Sequence, residues 1–175
     1  MIRGRRVVAA ATFLVTLLAG GSPAAVAHDH RVPKAVLFTG SDRQVGREAG
    51  STWIWWDGHY CVNQISDAAG IFQKDSALLK PEAKIRIRLA KAQRPEQLEI
   101  RAWRRVHDGR AVGAGSPVDY VLKTHLHRGR KVWVASFTPD VRSDYFLKVD
   151  GFWPDHSRCG GMQSASWQFH VRAPQ

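Results

Sequence analysis

The sequence is short of acid and short of sulfur. Against 26 Lys+Arg it sets 15 Asp+Glu, which leaves a formal net charge of +11. Two cysteines are too few for a disulfide-dense mini-scaffold or a four-thiolate zinc site. There is no G-x-S-x-G elbow, no H-E-x-x-H and no P-loop, and Gly113-Ala114-Gly115 is only a fragment of a dinucleotide-binding loop. The 4 glutamates and 11 aspartates form no recognisable acid pair. The expectation is a protein that is not an enzyme. Helix-turn-helix, zinc-finger and RNA-recognition signatures are missing too, which argues against a specific nucleic-acid target. No stretch keeps an apolar stripe at period 3.6, and only Asp75–Leu79 could make a helical turn. Nor does any apolar run reach the roughly 20 residues of a membrane span. With 175 residues, 44% of them hydrophobic, one globular domain is expected.

The first 27 residues read as a secretory signal peptide. Arg3, Arg5 and Arg6 open it, an uncharged, mostly apolar run extends from Val7 to Leu18, and Ala25-Val26-Ala27 supplies an A-x-A cleavage pattern. Cleavage there removes three arginines and no acid, leaving 23 Lys+Arg against 15 acids, a net charge of +8. The expected organisation is a signal peptide at 1–27, a flexible tail at 28–34 and a single domain at 35–175, secreted or held in the periplasm or cell envelope, with no membrane span after cleavage. In an oxidising compartment Cys61 and Cys159 are expected to form a disulfide.

What the mature sequence does have is alternation at period two. Ala83, Ile85, Ile87 and Leu89 alternate with Lys84, Arg86 and Arg88. Leu98, Ile100 and Ala102 alternate with Glu99, Arg101 and Trp103. Similar runs follow at Val118–Lys123, Lys131–Phe137, Tyr145–Val149 and Ala165–Arg172, and earlier strands fit Ala35–Phe38 and Thr52–Val62. Arg128-Gly129 reads as a hairpin turn, and Asp57-Gly58, Asp108-Gly109 and Asp150-Gly151 as tight turns. About eight strands at this spacing predict an all-β fold: an antiparallel two-sheet sandwich of immunoglobulin-like type with one disulfide. Such an architecture hosts many functions and selects none.

Two features go beyond the fold. Arg86, Arg88, Arg101 and Arg105, with Lys84, fall on the polar face of their strands and make one basic surface if those strands pair. Trp103 sits between Arg101 and Arg105 on the same side. It either stacks a sugar or a base beside cations that hold an acidic group, or is covered by a loop or by arginine stems. The run Thr52-Trp53-Ile54-Trp55-Trp56-Asp57 is apolar on both faces, as a buried interior strand requires; an exposed carbohydrate platform is the alternative.

The histidines suggest a different chemistry. Cleavage after Ala27 exposes His28-Asp29-His30, whose amine, two amides and His30 imidazole match the tetragonal nitrogen set of Cu(II). In this respect the chain resembles the small exported copper-resistance sandwich proteins of bacteria, which begin with His after signal cleavage and use a second His near an Asp in a late loop. Asp155-His156 is the matching late pair here, with a spacing that differs from the family's Asp-x-His. The resemblance implies Cu(II) held by His28 and His156, and the chemistry of the exposed terminus adds His30. His125 and His127 share one strand face, but the cations Arg128, Arg130 and Lys131 that follow discourage a divalent metal, and solvated or core-rim histidines are the expectation.

Taken together, the residues point to an exported, non-catalytic binding module. Its expected partner is anionic: an acidic envelope polymer, a polysaccharide or an acidic protein surface, met through Arg86, Arg88, Arg101, Trp103 and Arg105. Copper binding at the mature amino terminus is the competing expectation.

Overall fold

Alternating side chains commit each strand to one buried and one solvated face, and a sheet with one apolar face must cover it with another layer. The computed structural model describes residues 31–40, 42–66, 71–72, 74–79, 83–139, 144–155 and 158–173. In chain order the strands are β1 (Ala35–Thr39), β2 (Asp42–Val45), β3 (Arg47–Trp56), β4 (Cys61–Ser66), β5 (Ala77–Leu78), β6 (Ile85–Leu89) and β7 (Gln97–Trp103). They continue with β8 (Val106–His107), β9 (Arg110–Ala111), β10 (Ser116–Pro117), β11 (Val121–His127), β12 (Arg130–Phe137), β13 (Tyr145–Pro154) and β14 (Met162–Arg172). No helix occurs among the described residues; the segment at Asp75–Leu79 instead contributes β5, which pairs parallel with β14.

Five strands form one sheet in the order β11-β12-β6-β1-β2. The larger sheet runs β10-β7-β13-β14-β3-β4, with β5 joining at β14. Apart from β5, all pairings are antiparallel. The small β8–β9 hairpin stands apart. Fourteen segments exceed the expected eight because β2, β5, β8, β9 and β10 are each four residues or fewer, too short to show an alternation, and because the run expected at Thr52–Val62 is divided between β3 and β4.

One cluster holds the two sheets together. Leu37, Ile85, Ile87, Leu89 and Ala135 from the five-stranded sheet meet Ile100, Leu147, Val149, Trp153, Trp167 and Phe169 from the larger one. Its largest members are three fully buried tryptophans: Trp153 contacts Trp53 edge-on at 5.8 Å and Trp167 at 6.1 Å. The expected turn at Asp150-Gly151 is instead the middle of β13. Gly151 is needed there because a Cβ would lie 2.5 Å from the Trp153 ring. At the head of the expected tail, Val32 packs against the core and the Lys34 carbonyl accepts the Ala90 N–H at 2.9 Å. The other expected turns occur as read: Arg128 and Gly129 have φ of 50° and 74°, the doubly positive signature of a type I′ hairpin.

The disulfide joins Cys61 to Cys159 across 98 positions. Immunoglobulin domains pin their two sheets to each other through the core. This bridge does something else: it fastens edge strand β4 to the loop that leads into β14 of the same sheet. Nearby, Asp57 Oδ1 accepts the backbone N–H groups of Tyr60 and His59, which hold its carboxyl below the usual carboxylate range and shape the β3–β4 turn.

Replacing both cysteines, Cys61→Ala with Cys159→Ala, is expected to lower the unfolding free energy by about 2–5 kcal/mol, because the link removes the entropy of a long open loop. Denaturant titration of the oxidised protein and the double variant measures the difference.

Candidate functional site

The charge is not shared equally between the two sheets. In the five-stranded sheet the inner positions Leu37, Ile85, Ile87, Leu89 and Ala135 are fully buried, so their strand neighbours face out. Register then lines up Lys123, Val134, Arg88, Val36 and Val45 in one row across the sheet, and Val121, Ser136, Arg86, Phe38 and Arg43 in the next. His125 and His127 continue the β11 side. Among the described residues these outward positions include no carboxylate. The five strands contain a single acid, Asp42, and its oxygens accept the backbone N–H groups of Arg43 and Leu78, both at 2.8 Å.

The cations on this surface are crowded. The Arg88 guanidinium lies 5.1 Å from the centre of the Phe38 ring, a cation–π arrangement that also shields its stem. Burial, then the charges of Arg128 and Arg43, hold Arg88 below arginine's ordinary range. His127 is likewise pushed down, by desolvation first and then by Arg88, Arg128 and His125. A cavity of about 140 Å³ opens here, lined by Phe38, Arg86, Arg88, His125, His127 and Val134. Like charges held together around an opening, without a counterion from the protein, favour an anion in that opening.

The outer face of the larger sheet is built differently. Arg101 pairs with Glu99 on the same strand, and Lys148 Nζ lies 2.9 Å from Asp150 Oδ1. Ser166 Oγ donates to Asp150 as well. Opposite charges alternate across β7 and β13, so their fields largely cancel.

This arrangement divides the expected site. β6 and β7 do not pair; they belong to opposite sheets. Arg86 and Arg88 stand on the outer face of one, Arg101 on the outer face of the other, so no single surface holds all three. The physical reason is the connection at 90–96, which crosses the sandwich: the Trp153 indole donates to the Gln93 carbonyl at 3.2 Å, and the Glu96 N–H donates to the Phe152 carbonyl at 2.9 Å. Arg105 lies in the exposed loop beyond β7, away from Arg86 and Arg88.

Trp103 lies on the nominally polar face, as its alternation requires, yet it is buried. A loop covers it. Phe72 packs against the ring at 6.0 Å, and the indole N–H donates to the Gly113 carbonyl at 3.0 Å. Gly115 approaches so closely that a Cβ there would lie 2.4 Å from the ring. The indole is structural, and it offers no stacking surface between Arg101 and Arg105.

The tryptophan run divides as an interior strand should. Trp53 is buried, with Lys91 Nζ 4.1 Å from its ring centre, and Trp55 packs at the core margin. Trp56 is half-buried on the other side, with the Arg158 guanidinium 5.8 Å from its ring centre. His28, His30 and His156 lie outside the described residues, and among the described residues no three His, Cys, Asp or Glu side chains group as a metal site would need.

The residues that sequence reasoning missed are Phe38, Arg43, Lys123, His125 and His127. The alternation of β11 carried a signal for its three members, but only the pairing of β11 with β12, and of β12 with β6, brings them to the arginines.

Trp103→Ala is expected to destabilise the fold by about 3–5 kcal/mol, as for large aromatic truncations in packed sites, without altering retention on an anionic resin under native conditions. Parallel denaturation and resin binding separate the two effects; loss of retention in a fully folded variant would return Trp103 to the site.

No protein-family description, curated protein or solved structure matches this chain.

Proposed function

We propose that the protein is an exported, non-catalytic β-sandwich of broadly immunoglobulin-like architecture that binds an anionic partner through the outer face of its five-stranded sheet. One observation carries this reading: among the described residues, Arg43, Arg86, Arg88 and Lys123 crowd a face whose strands present no carboxylate outward, while the opposite face of the sandwich pairs its charges. Exposed like charges cost stability through mutual repulsion, and an anion bound among them would relieve that cost. The Cys61–Cys159 disulfide supports an oxidising compartment, as does the leader-like sequence at 1–27.

Arg86→Ser with Arg88→Ser is expected to weaken binding to a sulfated polysaccharide resin about tenfold at low ionic strength, at about 0.7 kcal/mol per exposed contact. Arg101→Ser and Arg105→Ser, which remove charge elsewhere, are expected to change it little. Wild-type binding should fall steeply with added salt, as screening demands. Equal losses from all four substitutions would mean that net charge alone drives retention, and the assignment to this face would be abandoned.

A further inference from the structure

Down the middle of the basic face runs β12, with β11 on one side and β6 on the other. The outward residues at its centre are small and uncharged: Val132, Val134 and Ser136. The flanking strands carry longer side chains, Arg86 and Arg88 on β6 and Lys123, His125 and His127 on β11. Neighbouring strands are about 4.8 Å apart and same-face residues about 6.8 Å apart along a strand. The two cationic rows are therefore about 10 Å apart, with a low floor between them. Two cavities mark the depression. The one of about 140 Å³ lies among Arg86, Arg88, Val134 and the histidines, and one of about 500 Å³ lies further along, among Lys84, Asp119, Val121, Lys123 and Ser136. Asp119 stands at that far end, just before β11, and is the one carboxylate among the described residues that lines the trough.

A trough walled by cations over a small, uncharged floor suits a narrow extended chain better than a broad protein surface. Its floor also distinguishes between extended polyanions. Single-stranded nucleic acid is held by aromatic rings on which bases stack, and the aromatics along the trough are engaged: Phe38 has the Arg88 guanidinium over it, Phe137 is buried, and the Tyr120 hydroxyl donates to the Leu98 carbonyl. Val134, half-buried beside the buried Val132, suits the apolar face of a sugar ring. Resting on the reading above, we propose that this trough binds a linear acidic polysaccharide lying along β12, its acidic groups directed to the β6 and β11 walls, and that His125 and His127 strengthen the hold as pH falls.

The charged groups facing the histidine pair are all cations: Lys123 on β11, Arg128 in the turn, Arg130 on β12 and Arg88 on β6, with Arg43 of β2 beyond Arg88. Among the described residues no carboxylate faces them. An imidazole is neutral in its basic form and cationic once protonated. His127 is held down by its neighbours, so the gain arrives late in free protein and is helped by a bound anion, which favours the charged form.

The test uses dextran sulfate and an oligodeoxythymidylate of similar charge, both of which keep their charge between pH 5.5 and 8.0, with affinities measured for the full chain at fixed low salt. Wild type is expected to bind dextran sulfate at both pH values, at least about threefold tighter at 5.5, and to prefer it to the oligonucleotide. His125→Gln with His127→Gln should match wild type at pH 8.0 and lose most of the gain at 5.5, although histidines elsewhere still titrate. Ser136→Glu, which puts a carboxylate on the floor, should weaken binding at least about tenfold at both pH values, with its denaturation midpoint checked alongside.

Tighter binding of the oligonucleotide would replace the polysaccharide with single-stranded nucleic acid. An undiminished pH gain in the histidine variant would remove the histidines from the site, and a folded Ser136→Glu protein that binds normally would remove the trough. In each of these cases the basic-face reading stands. Wild type that binds neither probe at either pH overturns both.

Discussion

Two sheets that each bury one face against the other leave the chain only two places for charge, the two outer faces. That constraint governs the rest of the molecule. Tryptophans and branched aliphatics fill the shared interior, and two buried glutamines, Gln44 and Gln163, arrive with partners. Gln44 donates to the Asp75 carbonyl and accepts the His170 N–H, linking β2 of one sheet to β14 of the other. Gln163 accepts from Lys91 and donates to the Ile54 carbonyl. Burying an unpaired charge is costly, so the surplus of cations is displayed outside.

The two outer faces resolve that surplus differently. On β7 and β13 each cation has an acid within reach, and the surface is electrically quiet. On β6, β12 and β11 the acids are missing, and Arg88 sits among like charges with an aromatic ring beneath it. Local rules for stability are broken on one face and kept on the other, the asymmetry expected where a surface is shaped for something other than stability.

Much of the fold was legible in the residues. Alternation marks β6, β7, β13 and β14 plainly, Arg128-Gly129 marks its hairpin, and the lone pair of cysteines marks its bond. The division of strands between sheets was not legible, because alternation says which side of a strand is wet and nothing about which strand lies beside it. Arg86 and Arg101 therefore look like neighbours in sequence and lie on opposite faces in space. Trp103 shows the same limit: its position on the polar side is readable, whereas its cover comes from Phe72, about thirty positions earlier, and from the close approach of Gly115. Of the site, the two arginines were readable from one strand, while Phe38 and the histidine pair depend on a register that spans four strands.

The place of β14 carries a consequence for how the molecule is made. It is the last strand in chain order, yet it lies between β13 and β3 and also pairs with β5. On the side away from β4, Thr52 pairs with Ser164, so β3 and β4 lack a neighbour on that side until β14 has been added. Contacts that join such distant parts of a chain close slowly, in milliseconds to seconds rather than microseconds. Completion of the larger sheet thus depends on a long-range pairing, while the bond between Cys61 and Cys159 ties β4 to the loop that leads into β14.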